Sequence, residues 1–112
     1  MAIHHMKLSS VPFKMTANGD KTIEARLYDS KRRGIDLGDT IVFRHLDNEN
    51  QAIEAKVIGL LRYETFGDMF AHNDPHKFGG DDAESLTAQM LEYYSQIDQD
   101  KHGVLGIEIA LT

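Results

Sequence analysis

The stretch KTIEARLYD, Lys21 to Asp29, alternates so cleanly that it constrains everything around it. In an extended chain Ile23, Ala25 and Leu27 face one way, while Thr22, Glu24, Arg26 and Tyr28 face the other. That is a half-buried strand, and it needs a sheet around it. Candidate partners lie on both sides in the sequence. IHHMKLSS is a short strand that stops at SVPFKMTANGD, where Ser10 and Pro12 open a helix from about Val11 to Ala17 and the NGD run ends it. SKRRGIDLGD has the glycine and aspartate punctuation of a loop, TIVFRHLD reads as a second strand, and DNEN reads as a hairpin turn. QAIEAKVIGLLRYE is then the return strand, with Gly59 as a bulge or kink.

TFGDMFAHND suggests one or two helical turns, and PHKFGGDD reads as a loop. In DDAESLTAQMLEYYSQID the apolar residues Leu86, Met90, Leu91, Tyr94 and Ile97 follow helical spacing, with Asp81, Asp82 and Glu84 at the end where the helix dipole favours them. HGVLGIEIALT closes as a strand. The expected fold is therefore α+β, with about five strands and two or three helices around an antiparallel or mixed sheet. A chain of 112 residues with 41% apolar content and no linker-like interruption fits one compact domain, residues 1–112.

Composition removes several function classes. The chain has no cysteine, so disulfide frameworks and thiolate chemistry are out. No apolar run approaches the roughly 20 residues of a membrane span, and the start is too short and polar for a secretory signal, so a cytoplasmic protein is expected. His72 and His76 flank Asp74, but Pro75 disrupts helical geometry, and His4, His5, His45 and His102 share no spacing, so no metal site or cofactor is expected. The net charge of −6 opposes binding of a long polyanion unless positive charge is gathered locally. Lys21, Arg26, Lys31, Arg32 and Arg33 are such a gathering.

GDKTIEAR matches the pattern G-x-K-x-x-E-x-R, and the segment resembles the ASCH domain, a PUA-like family. Further pieces follow in the family's order: GIDLGDTIVF resembles its loop and strand ending in G-D-x-I-x-F, and YETF and HGVLGIEI resemble segments of small prokaryotic members. The resemblance covers nearly the whole chain. It implies a small β-barrel with helices at its ends and a cleft where Lys21, Glu24 and Arg26 converge, with Thr22, Thr65 and Tyr94 as hydroxyl candidates. Tyr63 or Tyr94 would offer a stacking face.

Those residue types suit a nucleotide. Arginine presents a planar fork to phosphate or a base edge, and a carboxylate accepts from a base's exocyclic amine. Lysine serves as a point charge or, when desolvated, as a base or nucleophile. Plainer readings stand beside these: alternating polar residues often mark only a solvated sheet face, Lys31, Arg32 and Arg33 a wet loop, Tyr94 a core position, and Asp36 and Asp39 a turn. For the strand residues the resemblance favours the cleft, and Arg33 is carried with them as a ligand contact.

Two classes of function follow from the resemblance. One is a module binding RNA, a nucleotide or a modified nucleoside. The other is an enzyme, either an N(4)-acetylcytidine amidohydrolase or an ASCH-type ribonuclease, with Lys21 and Glu24 as catalytic residues. Those amidohydrolases read K-T-I-T-x-R where this chain reads KTIEAR, so Glu24 takes the place of a catalytic threonine. Asp82 or Glu84 would stand for their acidic residue.

Overall fold

A computed structural model describes all of residues 1–112. Five strands form one mixed sheet: β1 (Ile3–Leu8), β2 (Ile23–Leu27), β3 (Thr40–His45), β4 (Ala52–Tyr63) and β5 (Val104–Leu111), in the spatial order β1-β3-β4-β5-β2. β1 runs parallel to β3 and every other neighbour is antiparallel. The sheet curls into a half-barrel, in keeping with the small barrel that the sequence resemblance implies. Its two edges, β1 and β2, are not paired with each other.

Four helices accompany the sheet, more than the two or three expected: α1 (Ser10–Ala17), α2 (Phe66–Ala71), α3 (Ala83–Tyr93) and α4 (Gln96–His102). The extra one arises because the helix expected to run on through Ile97 breaks at Tyr94. Ser95 caps a new helix there, its side chain accepting from the Asp98 N–H, and Ile97 is left 78% exposed. A second departure is local. The loop PHKFGGDD contains a 3-10 turn, Pro75–Phe78, capped by Asp74 and closed by Gly79 in the left-handed region.

Strand pairing explains why β2 is buried on both faces. Glu24 pairs with Ile107 and Arg26 with Leu105, so these charged residues point to the same side as the barrel-interior cluster that includes Phe43, Leu105 and Ile107. Ile23 and Ala25 point the other way, into a cluster with Phe66, Met69, Phe70 and Leu86 from α2 and α3. Gly106, opposite Ala25, permits that contact: a Cβ there would lie 2.9 Å from Met69 Sδ. The alternation identifies the strand correctly. The helices then cover the face that leaves the interior, so both halves of the pattern are enclosed.

β4 carries a register shift between Val57 and Gly59, at the glycine expected to mark a bulge. At the start of β3, Asp39 accepts hydrogen bonds from His4 Nε2 (2.8 Å), the Ala2 N–H (3.1 Å) and the Asp36 N–H (3.0 Å). One carboxylate thus serves its own turn and ties β1 to β3. His4 first, then the backbone donors, hold that carboxyl down at about 2.

Candidate functional site

The seam between β1 and β2 is where the charged residues meet. Lys21 stands just before β2, and its backbone N–H donates to the Met15 carbonyl at the end of α1 (3.0 Å). The next N–H, of Thr22, donates to the Lys77 carbonyl in the 3-10 turn (2.9 Å). Gly79 lies against the lysine stem: its φ is +84°, and a Cβ there would stand 3.4 Å from both Lys21 Cδ and Met15. Lys21 is therefore directed from α1 and from the 3-10 turn onto Glu24.

Glu24 is 5% exposed and its carboxylate is shared between two cations. Oε1 accepts from Lys21 Nζ at 2.5 Å, while Oε2 accepts from Arg26 Nε (2.9 Å) and Nη2 (2.7 Å). Arg26 Nη2 also donates to the Lys7 carbonyl on β1 (3.0 Å), so one side chain reaches across the seam. Burial pushes the Glu24 carboxyl up, but the Lys21 ammonium and the Arg26 guanidinium outweigh it, and the group sits below its ordinary value. Burial also pulls Arg26 down. Glu24, with the Tyr94 hydroxyl, outweighs that and carries the guanidinium above its usual value.

Counting donors shows what the triad offers. Two cations and one anion leave a net charge of +1, and two of the three Lys21 Nζ hydrogens make no bond within the protein. Three of the carboxylate's roughly four acceptor positions are taken. The site presents mainly donors.

These groups form the floor of a cleft of about 630 Å³, within the range of small-molecule sites. Val11 and Met15 of α1 line one side; Gln89, Met90 and Tyr93 of α3, with Tyr94 beyond it, line the other. Tyr93, 68% exposed, stands at the rim.

Of the residues expected at the site, Lys21, Glu24, Arg26 and Tyr94 are brought together. Thr22 is not on the cleft wall; its carbonyl accepts from the Ile109 N–H at 2.9 Å. Thr65 caps α2, accepting from the Asp68 N–H, and Tyr63 stacks with His72 away from the cleft. Arg33 lies on the exposed loop before β3 with its guanidinium over the ring of Tyr28. Asp82 caps α3 by accepting from the Ser85 N–H (2.7 Å), and Glu84 is exposed; neither lines the cleft. Sequence reasoning missed Met15, Gly79 and Tyr93. Only the double glycine in HKFGGDD gave any signal, as a turn.

No group of three or more His, Asp or Glu side chains converges as metal ligands would. No helix is long and apolar enough to cross a membrane.

Comparison with known proteins places these features in a wider set. The family model described as the ASCH domain matches residues 6–112. Among solved structures the chain is similar to the hypothetical protein PH0355, with 29% identity and a TM-score of 0.86 over 98% of this chain and 99% of that one. It is also similar to protein PF0455 from Pyrococcus furiosus, with 26% identity and a TM-score of 0.74 over 97% of this chain and 96% of that one. An ASCH domain from Lactobacillus crispatus shares the fold, at 11% identity and a TM-score of 0.69 over 98% and 79% of the two chains. No curated protein matches the chain in sequence.

Proposed function

This chain belongs to the ASCH domain family, and on that premise we propose that the cleft binds RNA or a nucleotide- or nucleoside-type ligand through Lys21 and Arg26. The family is PUA-like and linked in general to RNA binding. The observation that carries the reading is the buried Lys21–Glu24–Arg26 triad on the floor of a cleft whose walls are apolar and aromatic. A flat ring bearing carbonyl or ring-nitrogen acceptors matches it: the floor donates, and Tyr93 supplies a face for stacking. Glu24 acts by fixing both cations in place rather than by reading an amine, since its oxygens are largely occupied.

The same geometry weighs against amide hydrolysis. A catalytic lysine needs a free lone pair, whereas the Lys21 ammonium is ion-paired to Glu24 at 2.5 Å. That carboxylate also fills the position of the threonine used by the amidohydrolases that the sequence resembles.

A thermal-shift screen against nucleosides, modified nucleosides, nucleotides and short RNA tests the reading. A ligand at a hundred times its Kd adds about 2.7 kcal/mol to the native state, a rise of several degrees in Tm. If Lys21 and Arg26 hold a phosphate, nucleotide affinity falls with salt while that of the matching nucleoside changes little. Failure of every such ligand to raise Tm overturns the proposal.

A further inference from the structure

The basic loop Lys31–Arg33 is outside the cleft, yet the fold gives it a partner that the sequence does not suggest. Tyr28, the residue after β2, has two guanidiniums over its ring: Arg62 Cζ is 3.9 Å from the ring centroid and Arg33 Cζ is 4.6 Å from it. Both arginines are exposed, and neither has a carboxylate at ion-pair distance. The neighbouring Arg32 does, with Asp29 at 2.8 Å. Two unpaired cations therefore stand within roughly 9 Å of each other, about one Debye length at physiological ionic strength. In a chain of net charge −6 this is an uncompensated positive spot, and an anion placed over it relieves the repulsion.

The spot is in register with the cleft. Arg26 and Arg62 both pair with Leu105, one from β2 and one from β4, so they share a cross-strand row two strand spacings wide, about 10 Å. Glu24, Arg26 and Tyr28 follow one another along a single face of β2, and the Tyr28 N–H continues the ladder by donating to the Gly103 carbonyl (2.9 Å). Lys101 and His102 adjoin Arg62 around a shallow hollow. Glu64 and Asp100 line it too, so the positive charge is concentrated on the Arg33–Tyr28–Arg62 stack rather than spread over the hollow.

We infer that Arg33 and Arg62, stacked on Tyr28, form a second phosphate-binding point, and that the protein's ligand is a single-stranded RNA with one nucleotide in the cleft and its flanking backbone on this stack. The inference rests on the reading of the cleft given above. A free nucleotide in the cleft reaches only Lys21 and Arg26, whereas an extended strand covers the further distance with its next phosphates. A duplex is too broad to enter the cleft.

The test measures binding of a short fluorescent single-stranded RNA by anisotropy across a salt series, for the wild type, Arg33→Gln/Arg62→Gln, and Lys56→Gln. Lys56 is an exposed cation on β4, away from the stack, and controls for net charge. The double variant should bind RNA several-fold to tenfold more weakly at low salt. Its salt slope should be shallower by about 0.7 for each phosphate that the arginines no longer neutralise. Its stabilisation by a mononucleotide should be unchanged, and Lys56→Gln should resemble the wild type. An unaltered slope in the double variant, with mononucleotide stabilisation intact, overturns the second binding point and spares the cleft. An effect of Lys56→Gln as large per charge removed reduces the result to net charge and also overturns it. If the wild type binds neither RNA nor mononucleotide, both readings fall together.

Discussion

Replacing Glu24 by glutamine isolates what the triad contributes to the fold. The side chain keeps its shape but loses its charge, and the amide NH₂ must then point at one of two cations. Lys21 and Arg26 side chains are only 12% and 17% exposed, so water cannot replace the missing carboxylate. Removing one member of a buried ion pair costs about 3–5 kcal/mol, a large share of the roughly 5–15 kcal/mol that holds a domain of this size together. At about 4 °C per kcal/mol, Tm should fall by roughly 12–20 °C. Denaturant unfolding gives the free energy directly. Adding Lys21→Met to Glu24→Gln removes one of the stranded cations, so the double variant should be more stable than Glu24→Gln alone. The pH dependence has a definite sign. Because the folded carboxyl sits below the ordinary glutamate value of 4.5, the wild type's advantage is full above that pH and shrinks as pH falls through the folded value. A loss below about 1 kcal/mol at neutral pH, or strictly additive single and double variants, would refute the reasoning.

Other outcomes follow from neighbouring contacts. Gly79→Ala forces a side chain into the left-handed region, with its Cβ only at contact distance from Lys21 Cδ and Met15, so it should cost about 1 kcal/mol or more by denaturant unfolding through backbone strain. Carboxyl titration by NMR should place Asp39 near 2, and Asp39→Asn should remove the loss of stability seen as pH falls from the ordinary aspartate range toward that value. Purified protein should hydrolyse N(4)-acetylcytidine slowly or not at all; rapid turnover that disappears in Lys21→Met would establish the enzyme instead.

How much of this was legible in the sequence depended on how local the cause was. β2 and the bulge at Gly59 were readable because alternation and a lone glycine act within a few residues. The triad was readable through its motif, although the pattern assigned Glu24 and Arg26 to a face opposite the core and the structure turns them toward the barrel interior. The helix break at Tyr94 was overlooked because Ile97 fits helical spacing, even though Ser95 followed three residues later by Asp98 is a helix-start signature. Thr65, expected at the site, starts a helix for the same kind of reason. The Arg33–Tyr28–Arg62 stack had no local signature at all. It depends on the register of β4 and β2 against β5, which only the folded sheet supplies.

The open seam has a consequence for self-association. An unpaired strand edge is a template on which another chain can add, and an incompletely closed barrel carries two such edges. Here the edges of β1 and β2 are turned toward one another, joined by Arg26 reaching the Lys7 carbonyl, and flanked by α1 and α3. Helices on both sides of the cleft between these edges thus obstruct the approach of a strand from a second molecule.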